Sequence, residues 1–542
     1  MSWRLTRASA RVADTERRVA VIDLGSNSWR LVVFTYAPGT WWKRTDELYE
    51  TVRIGAGLGA SGRLSEEAME RGIETLSVFA RFCRSNRLAA RDVHPIATSA
   101  IRDASNRQQF IAQAQEAASL RIEVLSEEDE ARYGYVAAVN TSTLTDGGVL
   151  ELGGGSMQLI EVADRRARSL SSFPLGAVML TERFLSGTGS AKKKELARVR
   201  EHVRETLSSS PQTAWLTSWP GAGGRRVVED GESDGAGGRR VVGVGGAVRN
   251  LAAAAQHAAE QPDIGVQGFV ITPEAMDELV RMLAGMSVEE RAMVPGIKPG
   301  RGDIILAAAL TLQTVLELGS FAGIEVTEAG LRDGIFLGRT LLAGGEPLLP
   351  NVREAAVRNL AVQYESDMVH VEHVARLALQ MYDSLVEGRL VERAPDEREL
   401  LWAAAMLHDV GMTISYDDHH KHSRYLIVSA ELPGFDPRER ALIAQISRYH
   451  RKGAPKLGEM AALARPGDDD LLQRCSLLLR LAEHLERGRD QAVSEARLRS
   501  GGHAIDLHLE AAGDLTLPRW SVERYGDDEA FERVFGRRLL IG

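Results

Sequence analysis

Two short turns in this chain carry an acid, glycine and hydroxyl residues in the same order. Residues 147–162, GGVLELGGGSMQLIEV, run an apolar strand past Glu151 into Gly153, Gly154, Gly155 and Ser156, and a second apolar strand leaves. Residues 18–34, RVAVIDLGSNSWRLVVF, repeat the theme with Asp23 followed by Gly25, Ser26, Asn27 and Ser28. Glycines at a hairpin tip permit positive φ and bring backbone N–H groups close to an anion, for which phosphate is the natural guest. An acid beside such a loop repels phosphate unless a divalent cation lies between them. Either turn alone is equally an ordinary hairpin. Two of them, more than a hundred residues apart, read as halves of a duplicated phosphate clamp.

Further candidates lie between and after the two turns. In ATSAIRDASN (97–106), Arg102 offers either a bidentate grip on phosphate or an ion pair with Asp103. SEEDEARYGYVAA (126–138) reads as a helix with Glu127, Glu128, Asp129 and Glu130 in its first turn, where acids complement the helix dipole and one can face a cleft. A strand running into Gly245 and Gly246 at the start of an alanine-rich helix is a third, weaker anion site.

These groups need elements to hold them. The spacing predicts helices over 64–84, 303–318 and 331–342, and strands at 93–97, 122–125, 241–244 and 325–327. Residues 211–240 shift to Gly, Arg and Asp and contain GAGGRRVV twice, at 221–228 and 235–242, which predicts a flexible insertion. Gly344–Pro350 (GGEPLLP) reads as a linker, residues 351–487 as all helical, and 505–509 as a strand in a short tail. Residues 1–17 read as a disordered, arginine-rich tail without the apolar core of a signal.

Composition bounds the class. The 542 residues imply several domains, and 66 basic against 75 acidic residues give a net charge of −9. That balance gives no general case for nucleic-acid binding, so a polyanion must be held locally. Cys83 and Cys475 are the only cysteines, which excludes a disulfide framework and suits a reducing cytoplasm. No apolar run predicts an integral membrane segment.

VIDLGSNSWRLVV (21–33), ATSAIRDASN (97–106), EEDEARYGY (127–135), ELGGGSMQL (151–159), GVGGAVRN (243–250) and GLRDGIFLG (330–338) resemble the exopolyphosphatase/guanosine pentaphosphate phosphohydrolase family. LLWAAAMLHDVG (400–411), HHKHSRYLI (419–427), LPGF (432–435) and RYHRKG (448–453) resemble its long members, which add an HD-like domain. The resemblance implies an α/β fold of two ribonuclease-H-like lobes of the actin-like superfamily, at 18–135 and 136–344, with the 331–342 helix packing back on the first. An all-α HD-like domain (345–500) and a small α+β tail (501–542) follow. It implies a cytoplasmic homodimer that hydrolyses a terminal phosphoanhydride of inorganic polyphosphate or guanosine pentaphosphate, with magnesium and a monovalent cation such as potassium. Glu130, just before Ala-Arg, would activate water; Glu151 would stand at the metal. Where the family has Asp before the glycine loop and Glu two residues after its serine, this chain has Glu151 and Gln158, so a low-turnover polyphosphate- or nucleotide-binding regulator is the other reading. In the HD-like domain, His373, His408, Asp409 and Glu483 either ligate a second metal or pair inside the helical core. His419–Arg424 and Arg448–Lys452 offer a cationic track for a long polyanion.

Overall fold

The computed structural model describes residues 16–185, 187–218, 239–394, 396–501, 503–526 and 528–541. They form two compact units, one from the described parts of 1–259 and 266–352, the other from 260–265 and 353–542.

The first unit holds two sheets of one topology. Strands β1 (Arg17–Leu24), β2 (Trp29–Ala37), β3 (Trp41–Glu50), β4 (Val93–Ala97) and β5 (Glu123–Val124) are ordered β3-β2-β1-β4-β5. Strands β6 (Gly147–Leu152), β7 (Met157–Ala163), β8 (Arg166–Phe173), β9 (Arg239–Val244), β10 (Val270–Ile271) and β11 (Phe321–Val326) are ordered β10-β11-β9-β6-β7-β8. In each sheet the first two strands are an antiparallel hairpin and the fourth lies parallel to the first. The duplication read from the two turns is therefore a duplication of the whole sheet.

Both faces of each sheet are covered, and strand alternation sorts the side chains. In β1, Ala20, Ile22 and Leu24 enter an outer core under the helix Glu66–Ser85, while Val19 and Val21 enter a central core. In β6, Leu150 joins the outer core of its own lobe and Val149 the same central core. That central layer is filled by the helix Glu127–Val139, capped by Ser126, and by the helix Leu331–Phe336 with the wider π turn Leu337–Leu341 that continues it. The expected closing helix does pack on the first lobe. Phe336 stacks on Phe34 with centroids 4.2 Å apart, and Arg44 donates to Asp333 at 2.8 Å.

Several expectations about segments change. Arg17, assigned to the tail, pairs with Tyr36 in β1, and residues 1–15 lie outside the described residues. Of the expected insertion 211–240, residues 219–238 lie outside the described residues, but Pro211–Thr213 and Ala214–Ser218 are helical and Arg239 opens β9. Trp215 and Leu216 are buried in the lobe core, and the Arg239 guanidinium lies over the Trp215 and Phe321 rings, so packing overrides composition.

In the second unit, helices Val352–Gln363, Met368–Glu387, Glu397–Leu407, His419–Ser429, Pro437–Arg448 and Asp468–Leu485 share one core with a sheet of β12 (Val493–Ser500), β13 (Ala504–Ala511) and β14 (Arg538–Ile541). The expected 500/501 boundary falls inside the β12–β13 hairpin. Gln380 and Ser384 side chains accept from the Ala496 and Leu498 N–H groups, which ties β12 to the Met368–Glu387 helix. Among the described residues, no helix is long and apolar enough to cross a membrane.

The central layer depends on a close crossing, because a Cβ added at Gly334 would collide with the Tyr133 backbone carbonyl. Gly334→Ala should destabilise the protein by about 1–3 kcal/mol, read as a lower urea midpoint. Gly345→Ala, with open space around it, should change stability by less than about 0.5 kcal/mol.

Candidate functional site

Alternation puts the acids in the central layer. Asp23 follows Val19 and Val21 on the inward face of β1, and Glu151 follows Val149 on the inward face of β6, each at the strand end that leads into its glycine turn. Glu130, in the first turn of the central helix, is buried between them. All three line one cavity of about 140 Å3, with Gly25, Ser26, Asn27, Ser28, Gly153, Gly154, Ser156, Gly245 and Gly246. The two hairpin tips meet: a Cβ on Gly154 would come 3.4 Å from Ser26 Cβ, and one on Gly155 would come 2.7 Å from Ser99 Oγ. Gly155 thus sits behind the lining, where Ser99 and Ser26 share a 3.1 Å hydrogen bond.

The glycines serve a different purpose from the one expected. None of Gly153, Gly154 and Gly155 has positive φ; what the missing side chains of Gly154 and Gly155 allow is the close approach of the first hairpin, of Ser99 and of the helix Ala177–Phe184. That helix donates from Ala177 and Val178 N–H to the Gly153 and Gly154 carbonyls at 3.0 and 2.9 Å. Gly245 is the turn glycine that does need its freedom, at φ 110° and tight against the Leu152 carbonyl.

Arg102 is also corrected. It does not line the cavity; its Nη1 donates to Glu130 Oε2 at 2.7 Å, and its Nε to Asp103 at 3.3 Å. The cations that do line the cavity are Arg30, Arg249, Arg301 and Arg332, which the sequence reading left unassigned. Arg30 is the cross-strand partner of Asp23, a register that the symmetric hairpin around residues 25–28 makes legible. Arg249 and Arg332 stand in the quoted motifs GVGGAVRN and GLRDG. Arg301 comes from a turn with no such signal.

Electrostatics in the cavity are unbalanced in both signs. Burial pushes the Glu151 carboxyl up to about 8, and Glu130 and Asp23 push it the same way. Burial likewise raises Asp23 and Glu130, against the pull of Arg332 and Arg30 on the first and of Arg102 on the second. Glu151 Oε2 is buried without a hydrogen-bond partner, pressed against Gly134, where any Cβ would collide with it. Burial, with Arg332, Arg30 and Arg301 nearby, lowers Arg249 to about 10. Arg332 pairs with Asp23 at 3.2 Å and Arg30 with Glu47 at 3.0 Å; among the described residues, Arg249 donates to the Glu328 and Ala329 carbonyls and to no carboxylate. Gln158, cross-strand from Glu151, donates to Ser156 Oγ at 2.9 Å and so braces the glycine turn. The cavity's arginines can take a multiply charged oxyanion, and its unpartnered Glu151 carboxyl can take a cation.

The second unit gathers imidazoles, in a register that differs from the expected one. His373 points away from the cluster, with Nδ1 accepting from Arg376 at 2.6 Å and Nε2 3.4 Å from Glu486. His370, one turn earlier, stands at its place, 3.1 Å from Glu483, and His408 is 3.3 Å from Glu483 and 3.5 Å from Asp409. His419, His420 and His450 are buried, so they are not part of a surface cationic track.

A model described as the Ppx/GppA phosphatase family matches residues 45–343, and that of Ppx/GppA phosphatase domain III matches 352–516. An exopolyphosphatase from Cytophaga hutchinsonii is similar in structure, with TM-score 0.52 and 22% identity over 61% of this chain and 100% of that one. An exopolyphosphatase-like protein gives TM-score 0.51 and 24% identity over the same shares. Both share the two-lobed fold. The Aquifex aeolicus Ppx/GppA family member is also similar, at TM-score 0.49 and 25% identity over 61% of this chain and 100% of that one.

If the cavity arginines hold an oxyanion, Arg301→Ala and Arg249→Ala should each weaken pyrophosphate binding by about 10- to 100-fold, the worth of a charge-assisted hydrogen bond. Titration calorimetry reads this. Arg91→Ala, at an exposed arginine outside the cavity, should leave the affinity within about twofold.

Proposed function

The chain belongs to the Ppx/GppA phosphatase family, and on that premise we propose that it removes the terminal phosphate of inorganic polyphosphate in the cavity between its two sheets. The observation that carries this reading is the lining: four arginines and two hydroxyl-bearing turns. A phosphate chain carries a negative charge on every unit and no ring, and that lining is its complement. Guanosine pentaphosphate is the competing substrate in the same assay.

Binding and chemistry divide between the two sides. Ser26, Ser28 and Ser156, with the N–H groups of the two turns, hold the terminal phosphate, and Arg30, Arg249, Arg301 and Arg332 hold the units behind it. The carboxylate side fits a divalent cation, because Glu151 Oε2 is buried without a partner beside two more acids. Bound there by Glu151, through water as magnesium prefers, the ion would supply positive charge to the phosphoryl oxygens. Glu130, held by Arg102, orients the attacking water and accepts its proton as the water oxygen bonds to phosphorus and the bridging P–O bond breaks. The shortened chain leaves as the other product. Burial raises the carboxyl of Glu130 above the ordinary range, which makes it a better base than a surface glutamate. Gln158 leaves the pocket with three carboxylates where a glutamate would add a fourth.

The direct test is Glu130→Gln, which keeps size and loses the base. Phosphate release from polyphosphate should fall by about two to four orders of magnitude, while polyphosphate binding persists. Glu127→Gln and Glu128→Gln, both exposed, should stay within about threefold of the parent. Release from all three variants equal to the parent would remove Glu130 from the chemistry. A parent that binds polyphosphate and releases no phosphate would instead mark a binding regulator.

A further inference from the structure

β1 ends at the cleft and begins among a second group of cations. Arg17 and Arg18 open the strand, and Arg17 and Asp23 are six residues apart on extended chain, about 20 Å. β4 lies parallel to β1, so its start belongs to the same rear edge, with His94 across from Val21. β2 runs the other way and sets Tyr36 beside Arg17. The π turn Leu337–Leu341 supplies Arg339 and Thr340. Turns of this kind are rare and recur at functional sites, because the wider ring re-aims the side chains it carries.

Together these elements shape an open pocket of about 620 Å3, within the range of about 300–1,000 Å3 common for small-molecule sites. Its lining holds four arginines, a histidine, a tyrosine and a threonine, against one acid, Asp92, and one aliphatic residue, Val19. Arginines that served only to hold neighbouring carboxylates would have spent their donors. These have not. Arg18 donates to Asp46 at 3.2 Å and to the Asn86 carbonyl at 3.2 Å, and Arg339 donates to Glu123 at 2.7 and 2.8 Å and to the Tyr133 hydroxyl at 2.6 Å. Each planar fork keeps further N–H groups.

Other donors on the lining are wholly uncommitted. Arg17 is exposed and, among the described residues, makes no ion pair. His94 and Thr340 are half-buried, and among the described residues no side-chain hydrogen bond satisfies either. Burial and the Arg339 charge lower the His94 imidazole from its usual range, against the pull of Glu123 and Asp92, so at neutral pH the ring is an uncharged donor. Arg91 stands at the rim, its side chain 87% exposed and 3.8 Å from Asp92, and adds little.

We propose that this pocket binds the phosphate group of a small anionic ligand, gripped by Arg17 and the unused N–H groups of Arg18 and Arg339, with His94 and Thr340 as neutral donors. Guanidinium forks and hydroxyls match a tetrahedral oxyanion in shape as well as charge. Asp92 is the one acid on the lining, and Arg91 stands beside it. Inorganic phosphate and a phosphate monoester present the same group to these donors. The pocket shares no lining residue with the cleft, and the proposal does not rest on the reaction assigned there.

His94 is the reporter. Full-length protein with labelled histidine is titrated with inorganic phosphate, and separately with glycerol phosphate, while NMR follows the His94 ring signal, assigned by its loss in His94→Gln. Either ligand should move the His94 titration midpoint to higher pH, because a bound anion favours the imidazolium. Saturation at lower concentration by glycerol phosphate would assign the pocket to phosphorylated molecules, and the reverse order would assign it to free phosphate. Arg17→Glu, at an exposed side chain, should weaken the response by about 10- to 100-fold in ligand concentration. Arg301→Ala, in the cleft, should leave it within about twofold. A parent whose His94 responds to neither ligand overturns the proposal. So does a response that survives unchanged in Arg17→Glu, or one that vanishes in Arg301→Ala.

Discussion

Three carboxylates forced together in a buried layer are the constraint on which the first unit turns. Asp23 and Glu151 reach the central layer because strand alternation leaves them no other face, and Glu130 arrives there on the helix that fills the layer. Burial raises all three carboxyls, Asp23 adds to the rise at Glu130, and both Asp23 and Glu130 add to it at Glu151, where an interior of low dielectric magnifies the repulsion. Arg332 offsets the charge on Asp23 and Arg102 that on Glu130. Glu151 keeps an oxygen with no partner. An apolar layer with this geometry would be more stable, so the arrangement makes sense as a receptacle for positive charge.

The arginines of the same cavity carry the complementary imbalance. Among the described residues, Arg249 and Arg301 have no carboxylate partner within ion-pair distance, and burial together with neighbouring arginines lowers Arg249, Arg301 and Arg332. A cavity that holds the unpaired Glu151 carboxyl together with Arg249 and Arg301 is complementary to a polyanion with its counter-ion. Rigid packing keeps the two sets from collapsing onto each other. Gly134 lets the Glu151 carboxylate lie against the central helix, Gly155 lets the two turns touch, and Gly334 lets the closing helix cross Tyr133 closely. These contacts position the acids at a scale finer than a methyl group.

Much of this was legible in the sequence because it is local. The acid-glycine-hydroxyl turns, the apolar strands around them and the acid-rich helix start at 127–130 are short-range patterns, and the repeated turns read as a duplicated clamp. What was not legible is long-range. Arg102 sits in a motif that suggests phosphate, but the fold carries it to Glu130. Arg249 and Arg332 sat inside motifs read for their glycines, and Arg301 in a turn without pattern. His370 and His373 share a buried helix face, so spacing cannot choose between them, and only the position of Glu483 against that of Glu486 decides. Trp215 anchors a segment whose composition reads as a loop, and β12 is too charged to announce itself as a strand before β13 pairs with it.

The central claim is that the three acids and the four arginines receive the two ends of one metal–polyphosphate ligand. A crystal structure of the Glu130→Gln variant with a short polyphosphate and manganese, collected at a wavelength where manganese scatters anomalously, tests it most directly. The account predicts an anomalous peak beside Glu151. It also predicts the terminal phosphate between residues 25–28 and 153–156, with the following units against Arg249 and Arg301. Phosphate density outside this cavity, or a chain bound in it with no metal near Glu151, would contradict the account.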